Sequence, residues 1–484
     1  MNFRLIWLGY SLSAFGDVVV PAALALAVVR ATGSASALAL VLACGSVPQL
    51  VLLPIGGVLA DRWSPRTVAI VADVVRAVVQ LWIGLSLVAG VFRLTDIAVA
   101  AAVSGAASAF ALPTGGPLVS ATVPPEGRPR ANGLLGVSRG VAGVLGPAVG
   151  GTLVLTVGSG WAFVLDAGTF VISAIALTLV RLHSPAAAHN AASTATATTT
   201  SRRRPNFSRS PAGDAASAAT ATTTSRGRSD SRRSPAGDAA SGAEPAATRV
   251  PMLRSLAEGW RELGRHDWLW TTLIGHGIWN LSAAVLMTLG PLIAVHRAGG
   301  EAVWVAVTQA GAVGVLLGSL LATRVGATGR FAINPRRPVL WANLALSSFA
   351  APLLLFAVPT SASWLVGSYG LAMLALGFLN PVWVSVVQQH VAPDRLARVN
   401  SWDMLISFSA MPLGYALAPL AAAQFGGEAF PLVVAALLVA LSTAGTAVVP
   451  GVRNLSLFPA RSAAVARDPA DAPAPQPVAV DAGR

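Results

Sequence analysis

Apolar stretches of twenty or more residues follow one another along this chain, separated by short polar breaks. A helix needs about 20 mostly apolar residues to cross a bilayer. Six such stretches precede the middle of the chain, at 5–29, 37–60, 67–92, 97–120, 133–157 and 161–182. Six more follow it, at 268–295, 303–325, 338–358, 363–387, 402–425 and 430–449. The fourth is the least regular, since Pro113, Gly115, Gly116 and Pro117 break it. Ala23-Leu24-Ala25 resembles a signal-peptide cleavage site, but Asp17 and Pro21 interrupt the apolar run before it. Removing that run would also leave an odd number of spans. The pattern predicts an all-α integral membrane protein with twelve transmembrane helices.

Between the two sets the pattern stops. From about His183 to Val250 the composition shifts to mainly Ala, Ser, Thr, Pro, Gly and Arg, too little apolar surface to order a chain. The segment holds a tandem duplication: Ala195 to Arg202 recurs at Ala219 to Arg226, and Arg209 to Asp214 at Arg233 to Asp238, with a period of 24. The expected organisation is a bundle over 1–182, a disordered linker over 183–255, a second bundle over 256–452 and a disordered tail over 453–484. A regulatory docking site in the linker is the alternative to a plain connector.

Composition sharpens this. The chain is 54% hydrophobic and 11% charged, less than half the charge of an ordinary soluble domain, which argues against a soluble enzyme. The formal charge of +13 suggests nucleic acid until its distribution is seen. Every basic residue is Arg, and most flank the apolar runs or lie in the linker. The loops after odd-numbered spans hold Arg30, Arg93 and Arg297, and the other side holds nearly all the rest. The bias of basic residues toward the cytoplasm puts both termini there. Cys44 is the single cysteine, which excludes an intrachain disulfide or cysteine-cluster metal site.

The two sets of spans are related. Val123-Pro-Pro-Glu-Gly-Arg-Pro-Arg-Ala-Asn-Gly133 precedes the fifth span, and Val391-Ala-Pro-Asp394-Arg-Leu-Ala-Arg398-Val-Asn-Ser401 precedes the eleventh. At that offset of 268 Gly146 falls on Gly414. Gly56 to Arg62 likewise matches Gly318 to Arg324. Two pseudo-symmetric six-helix bundles with the same orientation are the plan of a transporter with its site between them.

Four motifs add chemistry. Gly57-Val-Leu-Ala-Asp61-Arg62-Trp63-Ser64-Pro65-Arg66 resembles the loop between spans two and three of the major facilitator superfamily, with Ser64 and Pro65 departing from its pattern. There Gly57 allows close helix contact, Asp61 accepts from a helix N-terminus, and Arg62 and Arg66 hold the loop to the cytoplasmic side. In the fifth span Gly133, Gly146, Pro147, Gly150 and Gly151 fit the spacing of a motif of antiporter members, with Ala142 for one expected Gly; ordinary small-residue packing is the alternative. Ala60 to Trp63 with Asp73 to Arg76, and Pro393 to Ser401 with Met411 to Ala416, resemble the branch holding the enterobactin exporter and the macrolide efflux pumps. That resemblance implies the major facilitator fold and proton-driven export of a small amphiphilic molecule. The Arg that drug–proton antiporters often carry in the fourth span is missing here, with Arg76 a candidate stand-in.

Ionisable groups inside a span need a partner or a purpose. Asp17, midway along the first span with no opposite charge three or four positions away, is the leading proton carrier; an acid bonded to backbone or water is the alternative. Asp73 and Arg76 share a helical face and suit a structural ion pair near the cytoplasmic end. Asp166 and Asp403 are cavity or gate candidates. Arg139 either anchors at the inner surface or pairs with an acid of a neighbouring helix. His276 and Asn280 share a face of the seventh span; a lone His there more often makes a helix–helix hydrogen bond than carries a proton.

The expected function is secondary active transport by alternating access, driven by a proton gradient with no bound cofactor or metal, and not an enzyme. The expected partners are a small molecule (drug, siderophore or secondary metabolite) and the lipid bilayer, with no nucleic acid, and the protein is expected to act as a monomer in a bacterial plasma membrane. A uniporter or importer of the same fold, or a membrane sensor, are the alternatives.

Overall fold

The computed structural model describes residues 2–180, 259–325, 337–392 and 395–455, with backbone alone at 57, 58, 60–62, 125, 129, 338 and 397. The predicted linker and tail therefore lie almost wholly outside the described residues, as does the duplicated repeat.

Among the described residues, twelve helices are long and apolar enough to cross a membrane. In the first half they are α1 (Asn2–Thr32), α2 (Ala35–Arg62), α3 (Pro65–Val88), α4 (Leu94–Thr122), α5 (Arg128–Thr156) and α6 (Ser159–Leu179). In the second they are α7 (Asp267–Arg297), α8 (Glu301–Ala322), α9 (Val339–Ala357), α10 (Ala362–His390), α11 (Leu396–Gln424) and α12 (Ala429–Val448). Every expected span is present, mostly extended by a few residues. Apolar counting stops at the first polar residue, whereas the helix runs on into it, as α5 does from Arg128. The doubtful fourth span is continuous in direction, with a 3-10 turn at Leu112–Thr114 absorbing Pro113. Pro147 and Pro381 lie inside α5 and α10, tolerated because neighbouring helices enclose them.

The halves repeat one packing scheme. In the first, α1 packs on α5 and α6, α2 on α4, and α3 on α4 and α6; in the second, α7 packs on α11 and α12, α8 on α10, and α9 on α10 and α12. The seams follow the same symmetry, since α2 meets α11 and α5 meets α8. Bare glycines make the tight crossings. A side chain at Gly105 of α4 would strike Gly45 of α2, and one at Gly314 of α8 would strike Gly370 of α10.

The halves touch where α1 ends and α2 begins. Arg30, near the end of α1, forms a two-pronged ion pair with Glu301 at the start of α8. Ala39 of α2 packs with Ala284 of α7 and Tyr415 of α11. Gln309 Nε2 of α8 donates to the Val144 carbonyl of α5 (3.1 Å). Outside the membrane span, a short helix at 259–264 docks on the start of α11. There Arg395 Nη1 donates to Glu262 Oε2 (2.5 Å) and the Trp260 and Trp402 rings meet at a tilt, with centroids 5.0 Å apart. Burial would raise the Glu262 pKa, but Arg395, with Arg265 and His266, outweighs it and holds the carboxyl below its ordinary value.

Candidate functional site

The first half carries a charged cluster at its centre, built on α3. Asp73 and Arg76 are one turn apart on the buried face of that helix. Arg76 Nη2 donates to Asp73 Oδ1 (2.6 Å) and to Ser13 Oγ (3.4 Å), and Nη1 donates to Asp17 Oδ1 (3.2 Å). The Phe170 ring of α6 lies 4.0 Å from the guanidinium carbon, a cation–π contact. Ser173 Oγ donates to the second oxygen of Asp73 (2.6 Å). Arg76 Nε has no partner among the described residues.

This corrects two expectations. Asp17 is not without a counter-charge: Arg76 supplies it from 59 residues away, which a search along one helix does not reach. The Asp73–Arg76 pair does form, but Arg76 sits at the middle of α3 rather than near an end. The two carboxylates differ in setting. The Asp17 side chain is 50% exposed and that of Asp73 6%, so one guanidinium bridges an accessible acid and an enclosed one.

Asp166 is 1% exposed and accepts from Gln80 Nε2 of α3 (2.6 Å). It lies against Gly16, where any side chain would collide with it. A side chain before Asp17 would force the Asp166 and Thr169 side chains to shift. No reading of single helices paired Gln80 with Asp166. An amide and an acid at mid-span were the available signal.

In the second half, His276 and Asn280 of α7 and Asp403 of α11 line one cavity of about 300 Å³ with Trp383 and Asn380 of α10. Asp403 is fully bonded, accepting from Trp383 Nε1 (2.9 Å) and Ser407 Oγ (3.0 Å). His276 makes no helix–helix hydrogen bond; its ring meets the edge of Trp383 at 5.1 Å, and its Nε2 is buried with no partner among the described residues. Asn280 Nδ2 donates to the His276 carbonyl in its own helix (3.0 Å). Trp383, missed in the sequence, organises this wall.

The glycine motif of α5 divides. Gly146 packs on Val18 and Gly150 on the Val19 carbonyl of α1, while Gly151 faces Val305 of α8 across the seam between the halves. Gly133 meets nothing within 4 Å, so it is not a packing residue here. The surroundings of Gly57, the Asp61 and Arg62 side chains and all of Asp394 lie outside what is described. Arg66 holds the end of α6, with Nε donating to the Leu177 carbonyl (2.7 Å) and Nη2 to that of Thr178. Arg398 lies at the start of α11, against the 259–264 helix at Gly259.

No curated protein matches the sequence. Among solved structures, the chain is similar to a POT family transporter in complex with a thioalcohol-conjugated peptide. The two are 11% identical with a TM-score of 0.63, over 92% of this chain and 95% of that one. It is also similar to a bacterial homolog of the human lysosomal transporter Spinster, in an inward-facing and unoccupied conformation. There the identity is 15% and the TM-score 0.60, over 94% of this chain and 97% of that one. At such identities the likeness is one of fold. The sequence model described as Major Facilitator Superfamily matches residues 6–415, most of both helical bundles, and this chain belongs to that superfamily.

Proposed function

We propose that this transporter exports a small amphiphilic molecule from the bacterial cytoplasm in exchange for protons, with both termini cytoplasmic. One observation carries the reading: Arg76 is shared between accessible Asp17 and enclosed Asp73. A proton arriving at Asp17 discharges that carboxylate and breaks its hold on Arg76, which then belongs to Asp73 alone. An ion pair that can be opened from one side is a coupling element, because its two states favour different helix arrangements.

The α5 motif supports a link from that proton to the moving parts. Gly146 and Gly150 press on the two residues after Asp17, and Gly151 presses on α8. A shift at Asp17 therefore reaches the seam between the halves through one bare helix face. The Arg30–Glu301 pair closes the seam at the end away from the amino terminus, which suits a cavity open to the cytoplasm. The resemblance of the α5 spacing to antiporter members favours export.

Purified protein in vesicles with an imposed pH gradient tests this. Protons and a fluorescent amphiphilic probe are expected to move in opposite directions, with the probe rising above its equilibrium level. Movement in the same direction identifies an importer of this fold, and movement only down the probe gradient a uniporter.

A further inference from the structure

Asp403 of α11 is the acid that the coupling network leaves out. It lines the cavity of about 300 Å³ between α7, α10 and α11. Trp383 Nε1 donates to one of its oxygens and Ser407 Oγ to the other. Both donors are neutral, and a carboxylate offers about four acceptor positions. Among the described residues no cation lies within ion-pair distance of it, whereas Asp17 and Asp73 share Arg76. An acid inside a membrane span is costly unless it has a partner or a purpose.

The rest of the lining indicates which. It contains no Arg, and its other ionisable residue, His276, sets its ring against Trp383 rather than against the carboxylate. Trp279, Trp383 and Phe408 add aromatic surface, whose negative ring faces attract cations. The exposed amide of Asn380 makes no hydrogen bond among the described residues, so its oxygen is open to a donor. Val384, Met404 and Phe408 line the cavity and are themselves exposed, so a ligand has a way in. The site is also at a useful depth. His276 and Asp403 lie about 14 Å and about 10 Å along their helices from the starts of α7 and α11. Those starts are at the end away from the Arg30–Glu301 closure.

We infer that this cavity binds the transported molecule by a cationic group, with Asp403 as its counter-charge. The substrate class is then an amphiphile with an ammonium group on a compact aromatic or apolar body. The volume is at the small end for ligand cavities and suits one or two fused rings. Asp403 is the charge that selects, and Trp279, Trp383 and Phe408 receive the apolar body. The acids of the first half are engaged with Arg76, Gln80 and Ser173, so proton and substrate meet different carboxylates. The assignment rests on the transport reading above and narrows it.

The test uses three probes sharing one ring system: (2-naphthylmethyl)trimethylammonium, neutral 2-naphthylmethanol and naphthalene-2-sulfonate. Binding is measured on purified full-length protein in detergent by equilibrium dialysis. The ammonium is expected to bind tightest and the sulfonate weakest. The readout is the ratio of ammonium to alcohol affinity on one preparation, so any unfolded fraction cancels. Asp403→Asn should lower that ratio about tenfold, and Asp403→Glu, which keeps the charge, should preserve most of it. An unchanged ratio in Asp403→Asn overturns the assignment, as does a sulfonate that binds tighter than the ammonium. A protein that binds none of the three overturns the site itself. The same ammonium is then offered to protein in vesicles with a pH gradient, where it should accumulate above equilibrium. Binding that depends on Asp403 without such accumulation leaves the cation site standing and overturns the exchange reading instead.

Discussion

The two halves share a packing scheme and differ in where they keep their charge. In the first, Asp17, Asp73, Arg76 and Asp166 lie within the bundle, Arg76 bonded to Asp17 and Asp73 and Asp166 bonded to Gln80. In the second, the ion pairs lie at the helix ends: Arg297 with Glu428 (2.8 Å), and Arg395 with Glu262. Gly146 packs on Val18 and its repeat partner Gly414 on Leu281. That register sets Asp17 opposite Asn280 and Ser13 opposite His276. Where the first half buries Arg76 with Asp73, the second buries the neutral pair Asn343 and Thr272, at 3.3 Å. One scaffold thus holds a buried charged network in one half and, in the other, a cavity wall of aromatic edges and amides around Asp403.

The largest effect should come from breaking the charged side at its hub. Arg76→Leu leaves Asp73 enclosed without its counter-charge. Removing one partner of a buried pair costs about 3–5 kcal/mol. The variant should lose much of its thermal stability in detergent and its yield in the membrane. Arg76→Leu with Asp73→Leu should recover much of it. If the double variant is no more stable than the single, the pair is not what stabilises α3 against α1 and α6. The same two changes at Asn343 and Thr272 should cost less, since no charge is stranded.

Asp17→Asn comes next. It keeps size and one hydrogen bond to Arg76 but cannot take up a proton. Accumulation driven by a pH gradient should vanish, while exchange of probe across an equal-pH membrane continues. A variant that still concentrates the probe makes Asp17 structural and moves the coupling role to Asp73. His276→Phe, at the position opposite Ser13 in the second half, should spare the pH dependence.

How far these sites could be read from the sequence follows the same division. The twelve spans, the repeat and the superfamily were legible because each depends on local composition or on order along the chain. Asp17, Asp73, Arg76 and Asp166 were legible as individuals, since a charge in an apolar run stands out. Their partners were not. Arg76 reaches Asp17 of α1 across the bundle, and Gln80 reaches Asp166 because α3 packs on α6. Helical spacing carries no information about such crossings. Trp383 was hidden for the opposite reason: a tryptophan in a membrane span usually marks the interface, and only the fold turns this one onto Asp403.

A smaller effect sharpens the seam between the halves. Gly151→Val adds a branched side chain against Val305. It should leave the bundles folded but slow turnover severalfold, by holding α5 and α8 apart at the end that Arg30 and Glu301 close. Gly133→Val, in the same motif but facing open space, should leave the rate nearly unchanged. Equal slowing by both would mean that the motif acts through helix bending rather than through contact.

The smallest effect is expected at the margin of the second half, where charge lies outside the membrane span. Arg395, Arg265 and His266 hold the Glu262 carboxyl below its ordinary range against the opposing effect of burial. A depressed carboxylate contributes stability that is complete above its unfolded pKa and is lost as pH falls through the lower, folded one. Docking of the 259–264 helix on α11 should therefore hold at neutral pH and loosen only in acid below the usual carboxylate range. Glu262→Gln removes the charge at every pH. Its helix should open at neutral pH, read as faster amide exchange at 259–265, and the acid-induced change should disappear. Transport at neutral pH should change little, because this anchor lies away from both cavity walls. A loss of transport as large as that of Asp17→Asn would mean that the second half, too, couples through charge, and that the contrast between the halves is one of position rather than of role.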